Sequence, residues 1–180
     1  MPTWFPVEQI ASRIPSHYAP WLLDVGSMTQ AMRQVAKTIS VKRLTQSWQF
    51  PSTAEAQYLG LNPDYYALIR EVYLLGDGVV WAFARTVFPY QLFSGRYQYL
   101  LRELNDRPIG DLLYSQPGVC RQRLEIAKFD VDCPEVRAAQ IGPLDQPTPL
   151  WGRRAQFQVF NSCLSVSEIL LPEIASYVEK

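Results

Sequence analysis

Hydrophobic positions along this chain follow two periods, and the switches between them mark the elements. Tyr66 to Leu75 and Val79 to Phe88 are β-branched and aromatic apolar runs separated by Gly76-Asp77-Gly78, the signature of a β-hairpin. A second hairpin is predicted near the C-terminal end, with Ala155–Phe160 and Leu164–Leu170 joined around Asn161-Ser162-Cys163. Further strands are expected at Ile39–Phe50 and Leu124–Phe129. Helical spacing takes over elsewhere. Residues 6–24 form a short helical region broken by Pro15 and Pro20. Ser27-Met28-Thr29-Gln30 fits a capping box, so a helix of about ten residues should run through Met32 and Val35 to Lys37. Residues 90–105 are predicted helical, and Pro108-Ile109-Gly110 opens a short helix through Leu113. Gln57–Pro63 is a turn-rich connection, and the four prolines of Asp130–Pro149 predict an extended loop. The sum is an α+β fold in one domain over residues 1–180, an antiparallel sheet with helices on one face or end.

Composition narrows what such a domain can do. Of 180 residues, 48% are hydrophobic and 19% charged, which supplies a core and argues against disorder. With 17 basic and 17 acidic side chains the formal charge is zero, so no broad electrostatic footprint for nucleic acid exists. No apolar run approaches the ~18–20 residues of a membrane span. The opening Met1-Pro2-Thr3-Trp4-Phe5-Pro6 lacks the basic and apolar regions of an export signal, so a cytoplasmic protein is expected. Even charge and no evident exposed apolar stripe lean toward a monomer. The single histidine, His17, cannot build a multi-histidine metal site. Cys120, Cys133 and Cys163 are widely spaced and odd in number, which favours reduced thiols over a disulfide framework. GxGxxG, Walker A and GxSxG patterns are absent, so neither nucleotide, metal, other cofactor nor covalent nucleophile is expected.

Three charges fall on apolar strand faces. Side chains alternate across a strand, which puts Arg70 with Leu68, Val72 and Leu74, and Arg85 with Val79, Trp81, Phe83 and Val87. A two-residue turn at Asp77-Gly78 would set Arg70 directly opposite Arg85, with Cβ atoms about 5 Å apart. Two cations facing each other on a buried surface need compensation. Structural carboxylates such as Glu71, Glu103 or Glu125 could supply it, or a bound anion held by charge-assisted hydrogen bonds. Glu168 shares parity with Leu164, Val166 and Leu170, so it should sit within reach of one of these arginines. It could serve as a salt-bridge partner, an acceptor for a ligand hydroxyl, or a proton carrier. The helix starts at Met28 and Ile109 offer first-turn N–H groups, which are either solvated or used to bind an anion. Together these features describe a pocket for a small polyanion.

The ordered set of short motifs carrying these residues resembles the chorismate pyruvate-lyase family. It comprises Asp24-Val25-Gly26-Ser27-Met28-Thr29, Ile69-Arg70-Glu71-Val72, Asp77-Gly78 through Trp81, and Ala84-Arg85-Thr86-Val87-Phe88-Pro89. It continues with Arg107-Pro108-Ile109-Gly110, Leu150-Trp151-Gly152-Arg153-Arg154, and Ser167-Glu168-Ile169-Leu170-Leu171-Pro172. The resemblance implies an antiparallel sheet with helices packed around it, enclosing the ligand. It also implies a carbon–oxygen lyase without cofactors, eliminating pyruvate from chorismate to give 4-hydroxybenzoate for quinone biosynthesis. Carried over by motif, the ligand-contacting residues are Met28, Arg70, Ile109 and Glu168. Arg70 would hold the ring carboxylate, Glu168 would accept from the 4-hydroxyl, and Met28 and Ile109 would supply backbone N–H groups and packing. Arg85, added from register alone, is assigned to the enolpyruvyl carboxylate. Departures are Ile109 where leucine is frequent, Ala84 where glycine stands, and a longer Asp130–Pro149 loop. The competing reading is a sensor module, because the effector-binding domains of GntR-type regulators share this fold. No winged-helix segment precedes the domain here. Elimination could proceed by hydrogen transfer within the substrate or with Glu168 as general base, and the first is preferred.

Overall fold

The computed structural model describes residues 2–93, 104, 107–130, 132–139 and 149–177. Seven strands form one antiparallel sheet: β1 (Trp4–Pro6), β2 (Ile39–Gln49), β3 (Ala67–Gly76), β4 (Val79–Pro89), β5 (Val119–Phe129), β6 (Leu150–Val159) and β7 (Ser162–Leu170). Their order across the sheet is β1-β5-β6-β7-β4-β3-β2. The two predicted hairpins, β3–β4 and β6–β7, therefore lie side by side, joined at the centre by the β4–β7 ladder.

The β3–β4 turn has two residues, Asp77 (φ 50°) and Gly78 (φ 82°), both left-handed. That conformation matches the right-handed twist of the flanking strands, and a glycine carries the larger φ without strain. Register then slips. Leu75 pairs with Val80, but Leu74 pairs with Ala82, leaving Trp81 as an inserted residue. Below this bulge Arg70 faces Thr86 and Glu71 faces Arg85. One extra residue turns every later side chain to the opposite face, so the expected Arg70–Arg85 pairing does not form. Arg70 and Arg85 stand on opposite sides of the sheet. The indole of Trp81 shows why the bulge exists. It is fully buried, with Trp21 edge-on at 6.1 Å and the Tyr177 ring at 4.2 Å, on the face it shares with Ala82.

Among the described residues, seven short α-helices with defined bounds accompany the sheet: α1 (Val7–Ile10), α2 (Ala19–Leu22), α3 (Met28–Arg33), α4 (Thr53–Leu59), α5 (Ile109–Ser115), α6 (Pro134–Ala138) and α7 (Pro172–Ala175). They cover both faces rather than one. On the first face α1, α2, α3 and α7 pack on Val72, Leu74, Trp81, Ala84 and Ile126, while α5 packs on Leu68, Phe157 and Val166. On the second, α4 and α6 cover Ile69, Val87, Phe83, Phe129 and Ile169. Both faces must be closed, because strands β3, β4, β6 and β7 carry apolar side chains in both directions.

Other expectations need correction. The N-terminal region holds strand β1 before its helices. Helix α3 stops at Arg33, four residues early, and Ser27 makes no side-chain cap. Its hydroxyl bonds that of Thr29 at 2.8 Å instead. A capping box does occur, at Ser52 and Glu55, and it starts α4, which overlaps the predicted turn-rich stretch. Strands β5 and β6 each begin five residues before their predicted starts. Helix α6 interrupts the Asp130–Pro149 loop, started by Pro134 at a position where a missing N–H costs nothing. Of the predicted 90–105 helix, Tyr90–Phe93 form a 3-10 turn and Leu104 is helical; the remainder lies outside the described residues.

Candidate active site

Cross-strand register assembles the first face residue by residue. One row runs Arg70 (β3), Thr86 (β4), Val166 (β7), Ala155 (β6); the next runs Val72, Ala84, Glu168, Arg153. Arg70 and Glu168 are thus two strand spacings apart and one row out of line, about 12 Å between their backbones, with Thr86 and the small Ala84 on the strand between them. Arg70 is 1% exposed, and its Nη2 donates to the Arg107 carbonyl at 3.1 Å. Glu168 Oε2 accepts from Arg153 Nε at 2.6 Å, both side chains largely buried.

Helices α3 and α5 roof this floor. Their starts interlock, since a Cβ at Gly110 would collide with the Ser27 hydroxyl, so only glycine fits there. Arg33 grips Asp111 through two hydrogen bonds of 2.7 and 2.6 Å, tying α3 to α5. That bond, ahead of a smaller opposing effect of burial, holds the Asp111 carboxyl below its ordinary range. Neither Ser27 nor Pro108 caps its helix through a side chain, so no N-cap side chain takes up the first-turn N–H groups at Met28 and Ile109.

Two adjoining cavities lie between roof and floor. One is lined by Arg70, Thr86, Ala84 and Pro108, the other by Met28, Arg153, Arg121 and Tyr114. Both share Ser27, Ile109, Gly110, Val166 and Glu168. Their open volumes, about 20 and 30 Å³, hold little more than a water each, so a ring enters only if the helices shift. Met28 thus lines one cavity and Arg70 the other, and Ile109 and Glu168 border both.

Arg85 is not among them. It donates Nε and Nη2 to Glu55 (2.7 and 3.2 Å) and Nη1 to Glu71 (2.6 Å) on the second face. There it lines a larger cavity of about 250 Å³ with Trp4, Phe83, Phe129 and Arg154. Arg154 is likewise paired, with Glu125 at 2.6 Å, and stacked on Trp4 and Tyr58. Both cations there already have carboxylates, so the larger cavity offers no demand for an anion. Of the carboxylates weighed earlier, Glu71 and Glu125 serve this face, and Glu103 lies outside the described residues.

The Glu55–Arg85–Glu71 cluster gives a testable pH dependence. Burial pushes the Glu55 carboxyl up, but the hydrogen bond and charge of Arg85 outweigh it and hold the group below its ordinary 4.5. A carboxyl depressed in the folded state stabilises above its unfolded value and loses that contribution as pH falls through the folded one. Glu55→Gln should cost about 1–3 kcal/mol at neutral pH. Urea midpoints followed downward in pH should show the gap to wild type closing below 4.5. A gap of constant size would refute the assignment.

Sequence reasoning missed Arg153. It belongs to the quoted Trp-Gly-Arg-Arg motif, but the strand was expected to begin at Ala155, beyond it. The signal was available: Trp151, Arg153, Ala155, Phe157 and Val159 share one face and are all buried. Glu168 has its cation, and that cation is Arg153 rather than Arg70 or Arg85. Among the described residues no group of three His, Cys, Asp or Glu is placed to hold a metal ion. Cys120, Cys133 and Cys163 are free thiols. No described helix is long and apolar enough to cross a membrane.

Comparison with known proteins follows the same outline. The family described as chorismate lyase matches residues 1–180. A probable chorismate pyruvate-lyase of Aromatoleum aromaticum is 38% identical over 164 residues, covering 90% of this chain and 88% of that protein. One from Shewanella loihica is 34% identical over 179 residues, covering 98% and 91%. Among solved structures, the effector domain of PhnF from Mycobacterium smegmatis superposes with a TM-score of 0.60 at 21% identity. It covers 83% of this chain and 91% of that one, a likeness of fold alone.

Proposed function

The chain belongs to the chorismate lyase family, and on that footing we propose that it is a chorismate pyruvate-lyase working as follows. It eliminates pyruvate from chorismate and leaves 4-hydroxybenzoate, which feeds quinone biosynthesis. One observation carries the reading: a buried guanidinium and a buried carboxylate stand two strands apart on one floor, under the helix starts at Met28 and Ile109. A ring with a carboxylate at one end and a hydroxyl at the para position spans that gap.

Arg70 takes the ring carboxylate. Its guanidinium is already out of water, so the charge-assisted hydrogen bonds form in a low-dielectric site where they are strongest. Glu168 accepts from the 4-hydroxyl, and Met28 lines the cavity at that same end. Ile109 borders both cavities and closes the ring between them. Arg85 takes no part, because its donors are spent on Glu55 and Glu71 behind the sheet.

The reaction breaks the C3–O bond of the enolpyruvyl ether and the C4–H bond. The hydrogen passes to the enolpyruvyl methylene through a six-membered cyclic transition state, releasing pyruvate as the keto acid, and the ring becomes aromatic. No atom enters or leaves beyond the substrate, so neither metal nor organic cofactor is required. The protein selects the reactive conformer and fixes both ends of the ring. A carboxylate engaged by Arg153 and by the 4-hydroxyl serves as an acceptor, not as the base that would remove the C4 proton. We place this activity in a cytoplasmic monomer.

Chorismate deuterated at C4 tests activity and route in one assay. Pyruvate and 4-hydroxybenzoate should appear in equal amounts, with the deuterium retained in the pyruvate methyl group in ordinary water. Unlabelled pyruvate would show that a protein base takes the proton. Tight binding of 4-hydroxybenzoate without turnover would favour the sensor reading that the PhnF effector-domain fold suggests.

A further inference from the structure

Arg153 is the hub of the hydroxyl end. Its Nε holds Glu168 Oε2 at 2.6 Å, while Nη1 donates to the Trp21 and Asp24 carbonyls at 3.2 and 2.9 Å and Nη2 to the Gly26 carbonyl at 3.3 Å. It is 4% exposed. The bonded segments differ in kind. Glu168 belongs to the sheet floor, whereas Asp24 to Gly26 lead into the helix that begins at Met28. That loop is itself folded to offer its carbonyls, since Asp24 Oδ1 accepts from the Gly26 N–H at 2.6 Å.

We propose that Arg153 is a positioning residue which sets the selectivity for the para-hydroxyl, by fixing Glu168 on one side of it and the Met28 helix start on the other. This rests on the lyase reading above. Three features carry it. Arg153 lines the cavity that contains Met28 and does not border the one that contains Arg70, while its partner Glu168 lines both. The ion pair occupies Oε2, which leaves Oε1 to receive the ligand O–H. A planar guanidinium with five donors in fixed directions can hold a carboxylate and three carbonyls at once, a geometry that a lysine ammonium cannot reproduce.

The test compares two ligands that differ only in the para-hydroxyl. Dissociation constants for 4-hydroxybenzoate and benzoate are measured by calorimetry on wild type, Arg153→Lys and Arg153→Gln, beside kcat and KM for chorismate. Wild type should prefer 4-hydroxybenzoate. In Arg153→Gln that ligand should weaken about tenfold to a hundredfold, the scale of one charge-assisted hydrogen bond, with benzoate within about twofold of wild type. Arg153→Lys keeps the charge near Glu168 and should recover part of the preference. Should Arg153→Gln fail to fold, Arg153→Lys decides alone, through its 4-hydroxybenzoate to benzoate ratio. Equal weakening of both acids would reduce Arg153 to a structural bolt and overturn the proposal, as would no change in either. A wild type with no preference between the acids, or no turnover of chorismate, would instead remove the lyase reading and this inference together.

Discussion

Replacing Arg70 with methionine should lower kcat/KM for chorismate about a thousandfold while leaving the protein folded. The size follows from two charge-assisted bonds to the ring carboxylate, at about 1.5–3 kcal/mol each, with roughly 1.4 kcal/mol per factor of ten. The folded state should survive because Arg70 is 1% exposed and methionine fills a similar volume there, and a domain's ~5–15 kcal/mol of stability exceeds the cost of one lost buried charge. Its hydrogen bond to the Arg107 carbonyl is one contact that the change removes. A structural salt-bridge role predicts the reverse, full activity per folded molecule with a lower midpoint. Kinetics and a thermal melt on the same preparation separate the two.

Glu168→Gln should give a different signature. Turnover should fall about a hundredfold, because the amide is a weaker acceptor for the 4-hydroxyl and offers its own N–H in competition. Stability should fall as well, by about 1–3 kcal/mol, because Arg153 loses its counter-charge in a site where its side chain is 5% exposed. The protein should stay folded, since domains carry about 5–15 kcal/mol of stability. Full turnover in the Glu168→Gln variant, or unchanged stability, would contradict the environment assigned to it.

These contrasts show which parts of the molecule the residues alone disclosed. Parity placed Arg70 and Glu168 on apolar faces correctly, because alternation along a strand is a local property. Register across the β3–β4 hairpin was not local. The turn has the two residues that would have set the arginines opposite each other, yet Trp81 inserts a residue because its indole is buried against Trp21 and Tyr177, from segments distant in sequence. That single bulge moved Arg85 to the other face and into the Glu55–Glu71 cluster. Arg153 escaped because Trp-Gly-Arg-Arg is poor in β-branched residues, so the strand seemed to begin later. Ser27 and Ser52 show the limit of cap motifs. Both are followed three residues on by Gln or Glu, but the Ser27 hydroxyl is held by Thr29, and only Ser52 closes the reciprocal pair. The second face is covered by α4 and α6, whose start signals, Ser52-x-x-Glu55 and Pro134, were present but lay just before a turn-rich stretch and inside a proline-rich one.

A crystal structure with 4-hydroxybenzoate bound is the most direct trial of the site. It should show the ring on the first face above Ala84, its carboxylate within about 3 Å of Arg70 and its hydroxyl on Glu168. A ring lodged behind the sheet beside Arg85 and Arg154, or one with its carboxylate turned toward Glu168, would contradict it.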